Sequence, residues 1–175
     1  MSSPCFFSLS DQKHVGDAVA ISEELVSNYY KMSSSQWLAA RYEIKTAKDL
    51  NEHEFVDGPF AQVVKYRGKR KDRYLSSYSY NFYTICLQDA AILNIIEEDR
   101  KLVLYPFLVY IFIHELVHIV RFLKFQQLYE ISREDEVTIF EERKVHKITW
   151  DILQHESIDC IEKVLEYHKN WRIVP

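Results

Sequence analysis

Residues 114–118 read His114-Glu115-Leu116-Val117-His118, two imidazoles four positions apart with a carboxylate directly after the first. On an α-helix, positions i and i+4 differ by about 40° around the axis, so both rings leave one face and can meet one tetrahedral zinc ion. Glu115 is turned by roughly 100° from His114, which keeps it off the ion but leaves it beside a water in the open coordination position. Two nitrogen donors, an open position and a carboxylate base are the parts needed to deprotonate water for attack on a carbonyl. With 7 His in 175 residues, a shuffled chain shows this pattern roughly 2–3% of the time.

The pattern carries chemistry only if its segment is a buried helix. From Leu102 to Ile113 the sequence is apolar all round, and Pro106 suits the first turn of a helix running to about Leu128. Burying two histidines and a glutamate without compensation is costly, and a metal offsets that cost directly. The plainer alternative is a hydrogen-bonded pair of core histidines. Leu102 to Phe125 is also long enough for a membrane span, but His114, Glu115, His118, Arg121 and Lys124 occupy its second half. No second span is offered for it to pack against, so the expectation is a buried active-site helix and no membrane.

A catalytic zinc usually has three protein ligands and a water, so a third donor must come from elsewhere in the chain. The downstream stretch Glu141-Glu142-Arg143-Lys144-Val145-His146 holds the candidates. His155 and His168 lie further on and are read as solvated side chains of a C-terminal helix.

The two elements together are similar to the gluzincin branch of the zincin peptidases, in which H-E-x-x-H on one helix is followed by a glutamate ligand on a second. More narrowly, Glu142, Val145, Ile148, Thr149, Ile152 and Leu153 resemble the second helix of small cytoplasmic anti-repressor (ImmA/IrrE-type) metallopeptidases. The resemblance spans roughly residues 107–153. It implies a zincin-like α+β fold, a Zn2+ cofactor held by His114, His118 and Glu142, Glu115 as the catalytic base, and a peptide or protein substrate. It places His146 where such helices usually carry an Asp or Asn that supports the ligands. Glu141 is a rival ligand, although it would put Lys144 at the packing position three residues on. His146 is another, giving a three-histidine site with Glu142 turned outward. In such enzymes the substrate lies extended along an edge strand; Tyr80–Leu87 is the candidate, unless it is an internal strand packed in the core.

These residues need a scaffold, and the rest of the chain offers a single domain over residues 1–175, mostly helical with a small sheet or hairpin. Ser10 and Asp11 can cap a first helix to about Lys31 with a stripe of Val15, Val19, Ile21, Leu25 and Tyr29. Ser33–Ser35 breaks it, and Trp37–Leu50 reads as irregular or short helix. Phe60–Tyr66 and Tyr74–Leu87 suggest a β-hairpin around Gly68. Gln88–Glu98 reads as a short helix, and Asp135 to about Tyr167 as one or two more. Lys65, Arg67, Lys69, Arg70, Lys71 and Arg73 crowd the hairpin tip and are read as a solvated face. Arg121, one turn after His118, is expected to pair with an acidic side chain.

With 22 basic and 26 acidic residues, the net charge of -4 provides no attraction to nucleic acid or anionic lipid. Cys5, Cys86 and Cys160 are too scattered for a disulfide framework or a cysteine metal site, which suits a reducing, cytoplasmic compartment. Met1–Ser10 lacks the basic and apolar regions of a signal peptide. Two rival functions stand beside a zinc peptidase. A di-iron carboxylate bundle needs a second Glu-x-x-His, which the chain lacks. A non-catalytic metal-binding or interaction domain would normally close its site with four protein ligands.

Overall fold

The structure, a computed structural model, describes residues 5–69, 79–124 and 135–172. In chain order the elements are α1 (Leu9–Tyr30), α2 (Ser34–Ala39), β1 (Tyr42–Lys45), a 3-10 turn (Glu52–Glu54), β2 (Ala61–Lys69), β3 (Ser79–Leu87), α3 (Asp89–Glu98), α4 (Leu104–Leu123), α5 (Asp135–Leu153), α6 (Ile161–Tyr167) and α7 (Lys169–Arg172). The class is α+β, mostly helical, with one three-stranded sheet among the described residues.

Helix α4 is the axis of the core. Every residue from Pro106 to Arg121 is buried, because α1, α3, α5, α6 and β2 all pack around it. A helix apolar on all faces needs such a coat. It is the one described helix long and apolar enough to cross a membrane, and 89% of its most apolar stretch is buried inside the structure. It ends at Leu123, short of the expected Leu128; residues 125–134 lie outside the described residues.

Helix α1 packs along α4 with Val15, Ala18, Ser22 and Val26 buried. This face is rotated from the predicted stripe: Val19, Ile21 and Leu25 are only half-buried and Tyr29 is exposed. Small side chains occupy the seam because the two backbones approach closely, and Ser22 Oγ donates to the carbonyl of Val109 at 3.3 Å. The N-cap is Ser8, not Ser10: its Oγ accepts from Asp11 N while the Asp11 carboxylate accepts from Ser8 N, a complete capping box.

The sheet order is β1-β3-β2, with β1 parallel and β2 antiparallel to β3. Residues Tyr83 to Leu87 of β3 are buried in unbroken succession, as a central strand covered on both faces must be. Of the two readings of Tyr80–Leu87, the internal strand holds and the substrate-binding edge does not. The two expected strands pair as β2 and β3, but Gly68 is not the tip: it lies within the ladder opposite Tyr80, and residues 70–78, with Arg70, Lys71 and Arg73, lie outside the described residues. Within Trp37–Leu50, read as irregular or helical, the chain forms both α2 and strand β1. Tyr42–Lys45 is short, half charged, and becomes a strand only through its parallel partner 41 residues downstream (Tyr42↔Tyr83).

A buried glutamate organises the loop before β2. The carboxylate of Glu54, with no exposed surface, accepts from Lys45 Nζ at 3.0 Å, Tyr66 OH at 2.6 Å and Asn51 N at 2.7 Å. Its carbonyl accepts from the side-chain amides of Gln62 and Gln88, and Gln88 Oε1 accepts from Val56 N. The 3-10 turn is thereby tied to β1, β2 and the end of β3, which fixes the path of residues 55–60.

Candidate metal centre

Tyr110, His114 and His118 follow one another at single-turn intervals on the face of α4 that meets α5, and Glu142 and His146 do the same on α5. Helix α5 turns this face inward because Val145, Thr149, Ile152 and Leu153 are buried. Its rotation is reinforced by Arg121 on α4, whose Nη2 donates to Glu141 Oε2 at 2.5 Å. The expected acidic partner of Arg121 is thus Glu141, and Glu142 faces the histidines.

The three donors converge. His114 Nε2 lies 3.1 Å from Glu142 Oε2, His118 Nε2 lies 3.1 Å from Glu142 Oε1, and the two Nε2 atoms are 3.2 Å apart. The two distances to Glu142 run to different oxygens, so its carboxylate spans the pair of imidazoles. Two imidazole nitrogens and a carboxylate are donors that could hold a metal ion. Nδ1 of His114 is buried without a partner among the described residues, so this ring lacks the supporting acceptor that most metal-binding histidines have.

A second, overlapping set also exists: His114, Glu142 and His146 each offer a donor atom within 4.8 Å of the others. The set with His118 has the shorter separations and the two-pronged carboxylate. His146 Nδ1 is also hydrogen-bonded to the Tyr110 hydroxyl at 2.7 Å, which leaves Nε2 as the ring's other donor position.

Electrostatics follow the geometry. Burial works to raise the Glu142 carboxyl, but the hydrogen bonds from His114 and His118 outweigh it and hold the group far below the usual carboxylate range. Burial raises Glu115, with His114 and His118 pulling the other way. Burial, then the neighbouring His114 and His168, push His146 down to about 2, and burial pushes His168 down to about 3; both rings are neutral near pH 7.

The cluster forms the floor of a cleft of about 790 Å³. One wall is the loop and strand held by the Glu54 network, including Val56, Phe60 and Ala61 to Val63. The opposite wall comes from α5 to α7, including Thr138, His146, Tyr167, His168 and Trp171. Glu115 lines the cleft beside the histidines. Among the described residues strand β2 is a sheet edge, and it adjoins the cleft.

His155 is exposed, as expected, but His168 is not the solvated side chain that its position suggested. It is 4% exposed, stacks on Tyr110 at 3.9 Å and 9°, and lines the cleft. Tyr110, Tyr167 and Trp171 were also missed as site residues. The signal available was the aromatic run Tyr167, His168 and Trp171 at near-helical spacing in an otherwise polar segment.

Comparison with known proteins returned no match: no family model, no curated protein and no solved structure is significantly similar to this chain.

Proposed function

We propose that the chain is a zinc-dependent metallohydrolase, a peptidase of zincin-like fold, with His114, His118 and Glu142 as metal ligands and Glu115 as catalytic base. The observation that carries this reading is the convergence of the three donors at 3.1–3.2 Å, with the carboxylate of Glu115 beside them in the cleft. Zinc, when bound, supplies positive charge that acidifies water and polarises a carbonyl. Glu115 then accepts the proton of the attacking water; its burial and raised pKa bring a carboxylate closer to the basicity that this task needs. Among the described residues β2 is an outer strand of the sheet and its residues Ala61 to Val63 line the cleft, where an extended peptide can add as a further strand and bring a main-chain carbonyl over the cluster. This edge is the reason for favouring a peptide substrate.

The test is hydrolysis of a quenched-fluorescent peptide library by wild type and Glu115→Gln. Metal content should be unchanged in the variant and turnover reduced by about 10²–10⁴-fold. Equal turnover in the two proteins would remove Glu115 from the reaction.

A non-catalytic metal-binding domain is the second reading, and the proximity of His146 favours it, since a fourth protein ligand would close the site.

A further inference from the structure

We propose that Tyr110 holds His146 in the tautomer that carries its proton on Nε2, so that His146 serves as a hydrogen-bond donor on the cleft wall and is kept from becoming a fourth metal ligand. The inference rests on the metal reading above and decides between its two forms.

The geometry begins with the phenol. Tyr110 is 1% exposed, and among the described residues its hydroxyl has one hydrogen-bond partner, His146 Nδ1 at 2.7 Å. The ring is held against His168 at 3.9 Å, and His168 is itself fixed by an Nδ1 hydrogen bond to the carbonyl of Val164 at 3.0 Å. If Nδ1 of His146 bore the proton, it would donate to the phenol oxygen and leave the phenol hydrogen with no acceptor among the described residues. If the phenol donates, its hydrogen is satisfied and the imidazole proton moves to Nε2, on a half-buried ring that lines the cleft. The second arrangement is the favoured one.

Coordination follows from that choice. A metal takes a nitrogen lone pair; the Nδ1 lone pair is occupied by the phenol and Nε2 has none to offer while protonated. Distance alone does not exclude His146, whose ring lies 4.3 Å from that of His114 and has a nitrogen within 4.8 Å of the other donors. The phenol hydrogen is what keeps this ring a donor and leaves a coordination position for water or substrate. Tyr110→Phe removes that hydrogen, keeps the stacking ring, and frees His146 to present a lone pair.

The experiment uses Co2+ as a spectroscopic replacement for zinc, in wild type, Tyr110→Phe, His146→Gln and the double variant. Metal affinity is measured by chelator competition and access to the metal by the visible absorption change on adding azide. Wild type and His146→Gln should bind metal within about threefold of each other and both respond to azide. Tyr110→Phe should bind about tenfold or more tightly and lose the azide response, and His146→Gln in that background should restore both. A general disturbance by Tyr110→Phe would not be reversed by a second substitution. Loss of metal in His146→Gln to the degree seen in His118→Ala would make His146 a ligand and overturn the proposal, as would an azide response in Tyr110→Phe equal to wild type. Failure of every protein to take up metal would overturn the metal reading itself, and this proposal with it.

Discussion

Arg121 Nη2 meets Glu141 Oε2 at 2.5 Å with both side chains largely buried, one residue before Glu142 reaches the histidines. The pair joins α4 to α5 next to the cluster, alongside the buried Val145 and Thr149 of α5. Replacing Arg121 by Leu strands the Glu141 carboxylate and should cost about 3–5 kcal/mol of stability, the usual result of breaking a buried pair from one side. Chemical denaturation of Arg121→Leu checks this, and a loss under about 1 kcal/mol would show that apolar packing sets the register unaided.

Acid stability should report on Glu54. Burial alone would raise this carboxyl, but hydrogen bonds from Tyr66, the Asn51 backbone and Lys45 prevail and hold it at about 2 in the folded protein, against 4.5 ordinarily. A depressed folded pKa contributes stability that is fully present above the unfolded value and lost as pH falls through the folded one. Wild type should therefore lose stability between pH 4.5 and about 2, and Glu54→Gln should show a shallower decline over that window. Denaturant midpoints against pH measure both; parallel curves would mean that Glu54 is not the group responsible.

Trp171 is exposed yet stacks on His146 at 5.7 Å along the cleft wall. Trp171→Ala should change folding stability by no more than about 0.5 kcal/mol, as surface substitutions usually do. On the proposed function it should raise KM for peptide substrates with little change in kcat. An unaltered KM would remove this wall from substrate binding.

What could be read from sequence, and what could not, divides along the range of the interactions. Helix α4 was legible because burial on all faces leaves an unmistakable apolar run, and β2 and β3 because two segments rich in β-formers lie close together in the sequence. Strand β1 was not, since Tyr42–Lys45 pairs only with a strand some forty residues away. The cap at Ser8 was displaced by two residues because Ser8, Ser10 and Asp11 all carry capping side chains, and only the backbone decides among them. Within the site, His114, Glu115 and His118 stood out by spacing. Glu142 was favoured over Glu141 because the latter would put Lys144 at a packing position, whereas the burial of His168 rests on its stacking against Tyr110, which has no local signature.

The most direct test of the account is metal content. Wild type, His118→Ala, Glu142→Ala and Glu141→Ala are purified, exposed to zinc, desalted and measured by native mass spectrometry alongside elemental analysis. The account predicts about one zinc per chain in wild type and Glu141→Ala, with loss or marked weakening in His118→Ala and Glu142→Ala. Wild-type protein that takes up no metal even with zinc supplied would contradict it, and would leave His114, His118 and Glu142 as a hydrogen-bonded cluster in a helical core.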